Sequence, residues 1–242
     1  MKNGINKYFL MLALIASILT FSSCKESINP GDVSIETRNT GDFTGIDIGY
    51  GFVAEITYSA DTYEVIVEAP ENFQEYIYTR VVDGIMKLRI DNDVKLNNFT
   101  HRKIYIKTPL LETLVASGGS HCISADKFSS SKFTSALSGG SQANISIDCD
   151  EFISILSGGS ILSINEGDTE SLTITSSGGS QFYGFDLDSK TCNIISSGGC
   201  DLEVKVSDNL NVTASGGSKI YYIGNPAITQ NLSDGSELIN YY

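Results

Sequence analysis

Ser117-Gly118-Gly119-Ser120 is the first of seven copies of one four-residue pattern, and the others open at Ser138, Ser157, Ser177, Ser197, Ser215 and Ser233. The steps between copies are 21, 19, 20, 20, 18 and 18 residues, a period near 20. Self-similarity at a fixed period of this size marks a solenoid, in which each repeat buries its apolar face only against its neighbours. The flanking residues say which kind. Five places after the first Ser stand Cys122, Ala143, Leu162, Phe182, Leu202, Ile220 and Leu238, all apolar. Five places before it, Phe133, Phe152, Leu172, Cys192, Leu210 and Ile228 are apolar and only Glu112 is not. The position just after the pattern is polar in every copy but Ile161. Apolar residues two apart with polar ones between are the signature of a strand with one face turned to a core.

Each repeat therefore reads as strand, Ser-Gly-Gly corner, strand and return loop. Glycine reaches positive φ without a Cβ penalty, which suits a tight corner. Stacked rungs would run parallel at ~4.8 Å and bring like residues into columns. Serine hydroxyls in such a column can hydrogen-bond along the stack. A flexible Gly-Ser linker repeated seven times is excluded by the regular apolar flanks. The copy ending at Cys200 and the Ser233-Asp234-Gly235-Ser236 copy depart from the pattern.

Residues 41–116 look like the same architecture with its signature worn down. Phe43, Ile46 and Ile48 precede Gly49-Tyr50-Gly51, and Val53 to Ile56, Tyr63 to Val67, Met86 to Ile90 and Ile104 to Ile106 alternate. Glu71 to Tyr78 alone has a helical pattern. Irregular rungs and a capping subdomain are both compatible with this half, and a cap is expected because open solenoid ends invite edge pairing.

The start of the chain reads as a leader. Lys2 and Lys7 precede an apolar run from Tyr8 to Leu19, too short to span a bilayer, which needs ~20 residues. Phe21-Ser22-Ser23-Cys24 resembles a bacterial lipobox, so Cys24 is the expected lipid attachment site; ordinary signal cleavage near Ser23 is the alternative. Residues 1–23 are then a lipoprotein signal peptide, 24–40 a flexible polar tether and 41–242 the solenoid domain, with 117–242 as its regular rungs. A formal charge of −13 argues against nucleic acid and anionic membrane surfaces, leaving the lipid as the means of membrane attachment.

The lipoprotein start, Phe43-Thr44-Gly45-Ile46-Asp47-Ile48, Val53-Ala54-Glu55-Ile56 and Lys103-Ile104-Tyr105-Ile106-Lys107-Thr108-Pro109-Leu110, followed by Ser-Gly-Gly corners, occur in one characteristic order. In that order they resemble the auto-transporter adhesin head domain (GIN-domain) family of Bacteroidetes, over roughly residues 42–240. The resemblance implies an all-β, right-handed parallel β-helix; with the lipid at Cys24, the expected place is the outer membrane, facing the periplasm or the cell surface. It brings no catalytic or binding residues.

Chemistry is sparse. The chain has two histidines, His101 and His121. Ser120 and His121 cannot form a nucleophile–base pair, since adjacent strand residues point to opposite faces. Asp148, Glu166, Asp168, Asp186, Asp188 and Asp208 fall at the second corner of their rungs, where stacking could bring carboxylates within one strand spacing. Calcium takes oxygen ligands of this kind, so Asp148, Glu166, Asp168, Asp186 and Asp188 are the candidate metal ligands. Turns also attract Asp for backbone reasons alone, and a solvated acidic edge is the expected outcome, with no metal and no cofactor. Cys122, Cys149, Cys192 and Cys200 show no metal-ligand spacing and no shared column, and are expected as buried free thiols. Two functions remain. One is a non-enzymatic binding or adhesion module whose long ladder surface meets a glycan, a protein or a second copy of the chain. The other is a carbohydrate-active β-helix, a polysaccharide lyase or hydrolase, disfavoured by 16 basic residues against 29 acidic ones.

Overall fold

The computed structural model describes residues 26–91 and 93–241. The signal peptide and Cys24 lie outside the described residues. In chain order come β1 (Glu26–Ile28), β2 (Val33–Arg38), β3 (Gly45–Ile48), β4 (Val53–Tyr58), β5 (Glu64–Pro70) and a 3-10 helix at Glu71–Tyr76. Next are β6 (Ile77–Val82), β7 (Ile85–Ile90), β8 (Val94–Leu96), β9 (Lys103–Thr108) and β10 (Thr113–Ala116). Five long strands follow: β11 (His121–Leu137), β12 (Gln142–Leu156), β13 (Ile161–Ser177), β14 (Gln181–Ser197) and β15 (Asp201–Ser215). β16 (Lys219–Ile223), β17 (Ala227–Leu232) and β18 (Glu237–Asn240) complete the set.

The long strands are whole rungs. β11 to β15 pair parallel with their sequence neighbours, Phe133 opposite Phe152, Leu162 opposite Phe182 and Phe182 opposite Leu202. The protein is a parallel β-solenoid. The apolar positions on either side of each corner point inward: Phe133, Phe152, Phe182, Leu202 and Leu210 have no exposed surface. Phe133 and Phe152 meet edge to face at 5.1 Å. The register read from the repeat thus matches the core from Cys122 to Ile220. Ile228 is the exception at 41% exposure, because its strand β17 pairs on one side only.

The Ser-Gly-Gly corners stack in one column. Both glycines of every full copy hold positive φ, and the first one lies directly against the corner before it: a Cβ on Gly178 would sit 3.2 Å from the Gly158 amide nitrogen. The worn corner joins the same column, with Tyr50 at φ 61° and Gly51 at φ 70° beneath Gly118. Arg102 closes the column from below, its guanidinium donating to the Tyr50 and Phe99 carbonyls. Among the described residues the closing hydroxyls do not bond to one another; at the last corners the closing amides of Cys200 and Ser218 donate to the Ser218 and Ser236 hydroxyls at 3.4 and 3.1 Å. Ser120 Oγ bridges to the Ser117 carbonyl at 2.7 Å and the Ile48 carbonyl at 3.1 Å, and accepts from the Ser117 amide. Ser141 and Ser160 repeat this inter-rung bridge to the Ala116 and Leu137 carbonyls. Such a hydroxyl adds a second bond to corner groups that the backbone already pairs, and those bonds satisfy the hydroxyl itself where it is buried.

The first half is both rung and cap. β3 and β4 flank the Tyr50 corner as one rung beneath β10 and β11, with β7 and β9 pairing parallel below them. β5 then lies antiparallel on β9, β2 antiparallel on β5, and β6 antiparallel on β7, which ends the parallel stack at this side. β2 corrects the expectation of a tether over 24–40. Its low apolar content is real, since Val33 and Ile35 are 51% and 66% exposed. An edge strand is held by backbone hydrogen bonds and needs little burial, and here the Gln74 amide nitrogen adds a bond to the Ser34 carbonyl at 3.1 Å. Among the described residues no helix is long and apolar enough to cross a membrane.

Candidate functional site

The corner opposite the glycines is irregular. Pairing slips between Ile123 and Lys127, between Ile145 and Ser146, between Gly184 and Asp188, and between Ser189 and Thr191. Gly167 fits here because a Cβ would meet the Ile147 carbonyl oxygen at 2.0 Å. Along this corner runs a groove of ≈ 640 Å³. Its floor is the strand backbone at Cys149, Thr169, Ser189 and Val206, whose side chains turn inward. One wall carries Asp148, Asp168 and Asp188 and ends at Lys205; the other carries Asp150, Glu170 and Lys190.

The structure thus brings three of the five candidate ligands into one ladder. The Asp168 amide donates to Asp148 Oδ1 at 3.1 Å, and Asp168 stands opposite Asp188. Glu166 lies two residues before Asp168, and Asp186 two before Asp188, away from the groove lining. Lysines interrupt the acids. Lys127 Nζ sits 3.1 Å from Asp148 and 2.9 Å from Glu166, Lys205 Nζ 2.7 Å from Asp188, and Lys190 Nζ 2.6 Å from Glu170. Hydrogen bonds that the ammonium groups donate to these carboxylates, Glu166 first for Lys127, hold all three lysine pKa values above the usual range. Among the described residues no group of three or more His, Cys, Asp or Glu side chains is placed to hold a metal ion. Asp208 leaves the ladder, because the shortened β15 rung sets Lys205 opposite Asp188.

Neither histidine stands beside a nucleophile. Ser120 is buried and bonded to backbone, while His121 lies in the ladder between Val53 and Gln142 with no hydrogen bond at Nε2. His101 Nε2 meets Glu68 Oε1 at 2.5 Å, and the Tyr105 hydroxyl donates to Glu68 Oε2 at 2.6 Å. The Tyr105 bond, then the His101 bond, lower the Glu68 pKa, and the Tyr105 phenol is pushed up to about 12 by the same partner. This joint ties β5 to β9 across the cap and was invisible in sequence, its members lying 33 and 37 residues apart. All four described cysteines are free and buried, and burial raises the Cys122 thiol to about 12 and the Cys149 and Cys192 thiols as well.

A second surface has the opposite character. On the sheet that enters each glycine corner, Val115, Ala136, Ile155, Thr175, Ile195, Thr213 and Asn231 form one outward ladder. Thr113, Thr134, Ile153, Thr173, Asn193, Asn211 and Thr229 form the ladder beside it. Neither holds a charged residue, in a chain of net charge −13, and Ile155 and Ile195 are 47% and 60% exposed.

A stack of parallel rungs with stacked glycine corners, closed at its start by antiparallel strands, can be compared with known proteins. The family model described as "Putative auto-transporter adhesin, head GIN domain" matches residues 42–226. The chain belongs to this family. Solved structures share the GIN-domain fold. A "putative adhesin" from Bacteroides fragilis has a TM-score of 0.80 at 21% identity, covering 88% of this chain and 98% of that one. A "putative adhesin" from Parabacteroides merdae has a TM-score of 0.72 at 16% identity, covering 90% and 100%. A "Putative lipid binding protein" from Parabacteroides distasonis has a TM-score of 0.67 at 17% identity, again covering 90% and 100%. At these identities the likeness is one of fold. No curated protein matches the chain.

Proposed function

We propose that this GIN-domain protein is an exported, lipid-anchored module of the cell envelope that works by contact and not by catalysis. The observation that carries the reading is the uncharged double ladder from Thr113 to Asn231. An acidic surface repels anionic partners, whereas a flat neutral face of Ile, Val, Thr and Asn offers apolar area and hydrogen-bonding groups at a fixed ~4.8 Å repeat. A rigid face of that kind suits an extended glycan or a protein surface. The family and the neighbouring structures described as adhesins support the same reading. The groove is the feature that favours the enzyme alternative. Its two lysines are engaged, Lys190 by Glu170 and Lys205 by Asp188, so the Asp150 and Asp168 carboxylates have no uncommitted ammonium beside them to complete an acid–base pair.

The test is an array of glycans and matrix proteins probed with the purified protein and with an Ile155→Lys/Ile195→Lys variant. Both positions face solvent, so the variant should melt like the wild type and lose the bound partner. Retained binding removes the neutral face from the account. Turnover of an acidic polysaccharide, with or without Ca²⁺, overturns the non-enzymatic reading.

A further inference from the structure

The face that leaves each glycine corner differs from the one that enters it. In its last rungs the outward ladder runs Tyr183, Glu203, Tyr221. Tyr183 is followed on the same strand by Phe185, and Tyr241 returns to stack on Phe185 with ring centroids 5.2 Å apart and planes 20° apart. Tyr241 also meets Tyr221 edge to face at 6.2 Å. Its position is fixed by its amide, which donates to the Tyr222 carbonyl at 2.8 Å. Two tyrosines therefore flank Glu203 in the ladder, and the Phe185 and Tyr241 rings join them as one aromatic group. Tyr183 and Tyr241 are still 36% and 57% exposed, so the cluster is a surface seat and not a piece of core.

The Glu203 side chain has no hydrogen bond or ion pair with any described residue. The nearby lysine at 205 is committed to Asp188. Burial, then the charge of Asp201, raise the Glu203 pKa, so its negative charge is poorly compensated where it stands. Elsewhere on this acidic chain ionised side chains commonly find lysines, as Asp148, Glu151, Glu170 and Asp188 do. A half-buried, unpaired carboxylate flanked in the ladder by two tyrosines lacks one thing, a cation whose apolar substituents can lie against the rings.

We propose that Tyr183, Phe185, Glu203, Tyr221 and Tyr241 form a binding seat for an organic ammonium group, best matched by a quaternary one. A quaternary ammonium is weakly hydrated, and its alkyl groups meet aromatic faces while its charge is attracted by both the ring quadrupoles and the carboxylate. An inorganic cation gains little here, because one carboxylate does not replace its hydration shell. The proposal goes beyond the contact function assigned above, uses a different outer face and stands or falls without it.

The probe is tetramethylammonium chloride, titrated into the purified protein by calorimetry and by aromatic-ring NMR, with sodium chloride at matched ionic strength as the reference. Saturable binding with shifts confined to this tyrosine cluster is expected. Glu203→Gln and, separately, Tyr221→Ala should each weaken it by about tenfold, the scale of a partly desolvated cation–π or charge contact. Glu203→Gln removes an uncompensated charge at the surface, so its melting midpoint should not fall, which keeps loss of binding distinct from loss of fold. Choline and an Nε-trimethyl-lysine peptide, run as separate arms, distinguish a small-molecule or headgroup source from a protein one. Equal responses to sodium and tetramethylammonium, or unchanged binding in Glu203→Gln, overturn the proposal.

Discussion

From Gly118 to Gly217 the glycines of the Ser-Gly-Gly corners keep φ between 59° and 81° and lie one above another, whereas the opposite corner slips register four times between β11 and β15. At the first corner the main chain sets the shape, with buried hydroxyls completing its hydrogen bonds. At the second, side chains do the joining: Lys127 spans two rungs to reach Glu166, and the Ser189 hydroxyl donates to the Lys205 carbonyl at 2.6 Å. A backbone-made joint leaves few outward positions free to vary. A side-chain-made joint can absorb a change of rung length from 20 to 18 residues and still present a groove. In this molecule stability is concentrated at one corner and chemical variety at the other.

Core truncation beside the glycine corner should be the costliest change. Phe182→Ala, at a site with no exposure next to Phe152, is expected to lose about 3–5 kcal/mol in chemical denaturation. A loss under about 1 kcal/mol would mean that the rung can collapse around the gap and that the column is not close-packed. Ser180→Ala deletes the buried hydroxyl that donates to the Ser177 carbonyl at 2.7 Å and should cost about 1–2 kcal/mol. If it were neutral, the closing serines would be spacers and not parts of the joint.

The cap joint predicts a pH effect. The folded Glu68 pKa is lowered, so its stabilisation is present above the unfolded carboxylate pKa and is lost as pH falls through the folded value, below 4.5. Tyr105→Phe removes the largest cause of that shift and should cost about 1 kcal/mol near neutrality, with a shallower decline in acid. Parallel acid profiles for wild type and variant would deny Glu68 that role. At the groove the effects should be smallest. Lys127→Ala should leave the melting midpoint unchanged, since exposed ion pairs contribute little. Excess Ca²⁺ should likewise not raise it. A rise of several degrees would restore Asp148, Asp168 and Asp188 as ligands, because an ion held only by the folded state stabilises by mass action.

What could be read from sequence follows the same division. The glycine corners, the inward Phe182 and Leu202, and even the worn Gly49-Tyr50-Gly51 corner were legible, because each depends on residues within a few positions of one another. The second corner was legible only while the period held at 20, which is why Asp168 opposite Asp188 could be expected and Lys205 opposite Asp188 could not. β2 escaped because an edge strand leaves almost no burial pattern. The aromatic seat escaped because its members come from three rungs, one of them shortened, and from a returning segment at Tyr241.

The claim that backbone contact governs the glycine corner is tested most directly by one pair of thermal and denaturant melts, Gly216→Ala against Gly217→Ala. Both residues hold left-handed φ, +71° and +78°, so both variants carry the same conformational penalty of about 1–2 kcal/mol. Only Gly216 is pressed against its neighbour: its Cβ would lie 2.8 Å from the Gly198 amide nitrogen, while a Cβ on Gly217 meets nothing within 4 Å. Gly216→Ala should be the less stable of the two by at least about 1 kcal/mol, the usual cost of forcing packed atoms apart. Equal losses would show that φ alone selects glycine there, and would contradict the close-stacked corner.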